Sequence, residues 1–115
     1  MSLPGGDIMA TTNDLELGEK ALEGLYDVDD PEVGLNVVDL GLIYHLSFDE
    51  DKKFLKITMT FTTQFCPMGD TITSDVTNVI NATFPDWELV IDLTFDPPWD
   101  VSMISHKGKQ FLGQY

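Results

Sequence analysis

The sequence predicts an α+β fold: a single two-layer domain in the order α-β-β-α-β-α, with a small mixed three-stranded sheet and helices packed on one face. Three observations carry that prediction. Residues 54–62 and 87–95 alternate apolar and polar side chains with a period of two, the signature of half-buried strands. Between them, Met68, Ile72, Val76, Val79, Ile80 and Thr83 step by threes and fours, the signature of an amphipathic helix. A chain of 115 residues holds one modest core.

Taken in order, residues 1–12 read as a disordered or tag-derived tail, and residues 13–115 as the domain. Asn13 followed by Glu16 suits a helix start, with the asparagine as cap. Leu15, Leu22, Leu25 and Tyr26 continue that helix, which Gly18 and Gly24 weaken and Asp29-Asp30-Pro31 ends near Asp27. Residues 42–48 form the first predicted strand, with Leu42, Tyr44, Leu46 and Phe48 on one face. Asp49-Glu50-Asp51-Lys52 is a hairpin-sized polar loop. The second strand puts Leu55, Ile57, Met59 and Phe61 on its apolar face, and the third puts Trp87, Leu89, Ile91, Leu93 and Phe95 on its own. The third strand pairs either with the second, as a parallel crossover, or with the first; both arrangements stay open. Asp96-Pro97-Pro98 breaks it, and Asp100 is the expected cap of a final helix from 101 to about 112, interrupted by Gly108.

Composition narrows function. Twenty acids against six bases give a formal net charge of −14, and all six bases are lysines. Residues 57–106 hold no Lys or Arg and carry Asp70, Asp75, Asp86, Glu88, Asp92, Asp96 and Asp100. Such a surface repels nucleic acid and anionic lipid and favours cations or basic partners. The longest apolar runs are three residues, as in Leu89-Val90-Ile91, so no transmembrane segment is predicted, and no signal peptide is read at the N-terminus. A single cysteine excludes an internal disulfide and a redox dithiol; a cytoplasmic location is the expectation.

That cysteine, Cys66, lies in Thr62-Thr63-Gln64-Phe65-Cys66-Pro67-Met68, which joins a strand to a helix. Pro67 suits the first helical position, which sets Cys66 at or beside the cap, where unpaired amides favour a thiolate. His45 and His106 stand in no motif with it, so a catalytic dyad is not supported. One cysteine and two scattered histidines do not close a metal site within one chain, although a second copy or a partner can complete one. Asp39, set among apolar residues in Val37-Val38-Asp39-Leu40-Gly41, is either an exposed turn residue or a pocket group. Trp99 is either core packing or an exposed aromatic anchor.

Together these segments resemble the SufT/PaaD-like iron–sulfur (metal–sulfur) cluster assembly domain family. The resemblance rests on Tyr26-Asp27, Asp30-Pro31-Glu32-Val33, Asn36-Val37-Val38-Asp39-Leu40-Gly41-Leu42-Ile43-Tyr44, the threonine–cysteine loop, and Asp96-Pro97-Pro98-Trp99 with Met103-Ile104-Ser105. It implies a functional patch of Cys66, Asp39, Thr62, Thr63 and Glu32, with Cys66 as metal and cofactor ligand. It also implies a non-enzymatic maturation factor, carrier or adaptor, acting with iron–sulfur scaffolds or target apo-proteins. The cargo would be iron or an iron–sulfur cluster, held transiently and shared with a partner or a second protomer in a homodimer. The competing expectations are a thiol enzyme with Cys66 as nucleophile, and a protein–protein adaptor that needs no thiol.

Overall fold

A computed structural model describes residues 10–64 and 67–113. Its main sheet has four strands in the order β1 (Thr11–Thr12), β4 (Ile43–Asp49), β5 (Phe54–Met59) and β6 (Glu88–Leu93). β4 and β5 form the antiparallel hairpin expected around the Asp49–Lys52 loop. β6 runs parallel to β5, with Ile57 opposite Ile91, which settles the pairing left open by the sequence. The crossover between them is α2 (Gly69–Thr83).

The sheet has one strand more than the three expected. Thr11 and Thr12 pair in parallel with His45 and Leu46, so ordered structure begins ahead of residue 13. A strand of two threonines has no period to read. Asn13 extends the same pairing with its side chain, since its amide donates to the Phe48 carbonyl and its carbonyl accepts the Phe48 N–H, both at 2.9 Å. With Asn13 so used, the cap of α1 (Leu15–Leu25) is Asp14, whose carboxylate accepts the Leu17 N–H at 3.0 Å.

α1 and α2 cover the sheet face that carries Leu46, Phe48, Leu55, Ile57 and Met59, all buried. Ile72, Val76 and Ile80 of α2 point into that core, as their spacing predicts. Gly24 lies where the two helices meet: a Cβ there would stand 2.7 Å from Val79 Cγ1. The glycine that costs α1 propensity therefore lets α2 approach. Phe48, Phe84 and Trp87 close one end of the layer with ring centroids 5.6–5.8 Å apart.

Other departures have local causes. A bulge between Ile43 and His45 breaks the alternation in β4, so Ile43 is buried and Tyr44 is only half-buried. β5 stops at Met59 and β6 at Leu93, and Leu93, at the end of the core face opposite Met59, is left 42% exposed. α2 starts at Gly69 with Met68 as cap, so Pro67 lies in the preceding turn and not at the first helical position. The expected helix over 101–112 is split into a 3₁₀ turn, Val101–Met103, and α3 (His106–Leu112). The cap of α3 is Ser105, whose hydroxyl accepts the Gly108 N–H at 3.0 Å.

A second, two-stranded sheet pairs β2 (Asp29–Asp30) with β3 (Leu35–Asn36) around a turn in which Gly34 has φ +81°. α3 packs on β3.

Candidate functional site

Asp39 is 4% exposed and fully engaged. Its Oδ1 accepts the Ser105 hydroxyl at 2.7 Å, and its Oδ2 accepts the Asn36 side-chain amide at 2.8 Å. Its own N–H donates to Asn36 Oδ1 at 2.8 Å, and its carbonyl accepts the Ser105 N–H at 2.8 Å. Asp39 thus holds the residue that caps α3.

Neighbouring contacts extend this latch. The Trp99 indole N–H donates to the Leu40 carbonyl at 2.7 Å, which makes Trp99 a packed, hydrogen-bonded residue and not a free anchor. The Tyr44 hydroxyl donates to the Pro97 carbonyl at 2.8 Å. Gly41 has φ +83°, and a Cβ on it would lie 2.8 Å from Met103 Cβ. Gly108 fits against Ile104, Leu35 and the Asp39 carbonyl with no room for a side chain. Two segments about sixty residues apart in sequence, 35–44 and 96–108, are thereby locked together.

A cleft of about 260 Å³ opens beside the latch, lined by Asp29, Gly34, Leu35, Asn36, Asp39, Lys107 and Phe111. Among the described residues of the predicted patch, Asp39 lines it and Glu32, Thr62 and Thr63 do not. Glu32 sits exposed in the β2–β3 turn, where its N–H donates to Asp30 Oδ1 at 2.9 Å. Thr62, half-buried, and Thr63, exposed, lie on the loop from β5 to α2. Cys66 lies outside the described residues. Met68, the α2 cap two positions after it in sequence, makes no side-chain hydrogen bond to the helix.

Three residues of this region are not in the predicted patch. Ser105 and Asn36 complete the Asp39 latch, and the only local signal for it is that an Asn side chain readily bonds a backbone N–H a few residues on. Asp30 is wholly buried, and its Oδ2 has no hydrogen-bond partner among the described residues. No group of three or more His, Cys, Asp or Glu side chains able to hold a metal ion occurs among the described residues. His45 is committed to the sheet, its Nδ1 lying 2.7 Å from the Thr11 hydroxyl. No helix among the described residues is long and apolar enough to cross a membrane.

A family model described as "Iron-sulfur cluster assembly protein" matches residues 19–90, more than half the chain. The chain belongs to this iron–sulfur cluster assembly family. It is 38% identical over 99 residues to a Porphyromonas gingivalis protein named Fe-S protein maturation auxiliary factor, covering 86% of this chain and 93% of that one. It is 37% identical over 87 residues to the Staphylococcus aureus Fe-S protein maturation auxiliary factor SufT, covering 75% of this chain and 97% of that one. The crystal structure of a domain of unknown function from Bacillus anthracis superposes with a TM-score of 0.78 at 38% identity, over 83% of this chain and 90% of that one. The family match ends ahead of Trp99 and Ser105, so it spans only one side of the latch.

Proposed function

We propose that this member of the iron–sulfur cluster assembly family is a non-catalytic maturation factor that helps deliver clusters to apo-proteins. The observation that carries the reading is the family match itself, joined to the naming of its relatives as auxiliary factors in iron–sulfur protein maturation. Cluster sites take about four protein ligands, and this chain has one cysteine. A cluster or iron ion is therefore cargo, held through Cys66 and completed by ligands from a scaffold, a target or a second copy. Thr62 and Thr63 precede Cys66 by four and three positions in the sequence and join it in this reading, with Glu32 supplying a carboxylate from the hairpin turn. Asp39 keeps its place as the latch beside the cleft. A lone cysteine without disulfide chemistry suits work in the cytoplasm.

Anaerobic incubation with iron and sulfide, in the presence of an apo-protein acceptor, tests this. The expected result is faster cluster loading of the acceptor with the wild-type protein than with Cys66→Ser. Equal loading by the two proteins removes the thiol from the reading. Loading no faster than in the absence of either protein removes the delivery role.

A further inference from the structure

β6 is an edge strand, paired with β5 on one side and with no strand of the described residues on the other. Its Glu88 N–H donates to the Lys53 carbonyl at 2.8 Å, and the Thr94 N–H just beyond it donates to the Met59 carbonyl at 2.9 Å. Even-numbered residues therefore turn their backbone toward β5. The alternation of a strand leaves the N–H and C=O groups of Leu89, Ile91 and Leu93 directed outward, where no described strand meets them. Open edges of this kind are templates for another strand.

The side chains say what that strand should be. On the open sheet face, β6 presents Glu88, Val90 and Asp92, all exposed. Lys56 is the base on the neighbouring strand, and it already sits 3.6 Å from Asp92. No other Lys or Arg occurs from residue 57 to 106, and Asp86 and Asp96 extend the acidic run past both ends of the strand. On the opposite face, Leu89 and Ile91 are half-buried under the helices, and Leu93 is 42% exposed. A strand added to this edge would set alternate side chains beside Leu89, Ile91 and Leu93, and the others beside Glu88 and Asp92.

We propose that the β6 edge is a docking site for an extended partner segment in which Lys or Arg alternates with apolar residues. Its backbone pairs with Leu89, Ile91 and Leu93, its apolar side chains extend the core face past Leu93, and its bases meet Glu88 and Asp92. A second copy of this chain is a poor occupant. Each copy carries −14, and edge-to-edge pairing would bring two sets of Glu88 and Asp92 together. The proposal stands apart from the cluster chemistry and holds whether or not Cys66 binds iron.

An alternating Lys–Val hexapeptide, titrated into the isotope-labelled full chain, tests it by amide chemical shift and hydrogen exchange. The expected result is shift and slowed exchange at Leu89, Ile91 and Leu93, with binding roughly tenfold or more weaker for an alternating Glu–Val hexapeptide. The exposed charge reversal Glu88→Lys with Asp92→Lys should invert that preference. Equal binding of both peptides, shifts centred elsewhere, or no shift overturns the proposal. Shifts at β6 that grow with protein concentration before any peptide is added overturn it too, because they place a second copy on the edge.

Discussion

The helix-on-sheet layer and the latch are held by different physics. The layer is a contiguous apolar cluster in which Leu46, Leu55, Ile57, Met59, Ile72, Val76 and Ile80 share one interior. Its stability is spread over many contacts, each replaceable by a side chain of similar volume. The latch is a short list of specific contacts: one carboxylate, one indole N–H, one capping hydroxyl, and two glycines against which the chain closes. No single contact in the layer decides its fold, whereas each in the latch fixes where residues 99–112 lie. The difference predicts that the segment closing the cleft loosens ahead of the sheet when a latch contact is removed.

The sharpest way to break the comparison is Gly41→Ala. The left-handed backbone costs an alanine about 1–2 kcal/mol, and the new methyl drives into Met103 for roughly 1–3 kcal/mol more. Urea denaturation should show a loss of that combined order. Hydrogen exchange should show α3 losing protection well before β5 does. If both elements lose protection together, the latch and the layer are one cooperative unit and the distinction fails.

Asp39→Ala is the next test. It strips the Ser105 hydroxyl and the Asn36 amide of their acceptor and loosens the α3 cap, for a cost of roughly 2–3 kcal/mol. The loss should again concentrate in residues 105–112. If Asp39→Ala leaves stability and α3 protection unchanged, its hydrogen bonds contribute no net stability. Its burial would then need another explanation.

These two residues also mark how far the sequence could be read. The layer was legible because burial imposes a period: strands at 54–59 and 88–93 and the helix at 69–83 all follow from alternation or three-four spacing. The family resemblance was legible in part from motifs that form the latch, in residues 36–44 and 96–105. What those motifs do was not. Asp39 carries a pocket-like pattern, but its partner Ser105 is 66 positions away, and no period links them. Gly108 reads as an interruption of the last helix because a glycine's empty space has meaning only once Ile104 and Leu35 stand against it, and the closeness of Met103 to Gly41 is equally invisible in the sequence. β1 escaped for a related reason, since Thr11 and Thr12 acquire strand character only by pairing with His45 and Leu46. The patch that the resemblance implies joins Cys66, Asp39, Thr62, Thr63 and Glu32; no period in the sequence points to the cleft beside Asp39, which Asn36, Lys107 and Phe111 line among the described residues.

A conservative core change gives the contrast from the other side. Ile72→Val removes one methylene from a fully buried helix residue and should cost about 1 kcal/mol. Because Ile72 belongs to the shared interior, the expected exchange pattern is a uniform loss across β4, β5 and α2, with α3 shifted no more than they are. A loss confined to α2 would show that the layer, too, is divided into parts.

The smallest expected effect is a pH dependence at the seam between the regions. Tyr44 leaves the main sheet to reach Pro97, and burial raises its hydroxyl above the usual value of 10, with the Thr60 hydroxyl pulling weakly the other way. The neutral form is the one the fold prefers, and it is also the form that can donate to the Pro97 carbonyl. Below pH 10 the phenol is protonated in both folded and unfolded chains, so its contribution is present in full. As the pH rises through the raised folded value, the unfolded chain ionises more readily and that contribution is lost. Lysines titrate in the same range, so wild type is compared with Tyr44→Phe, in which the lysine effect is shared. The difference in urea midpoint between them should be constant below pH 9 and shrink above pH 10 as the wild type loses its advantage. A difference that stays constant throughout would mean that Tyr44 is as solvated in the folded chain as in the unfolded one, and that the seam there is open to water.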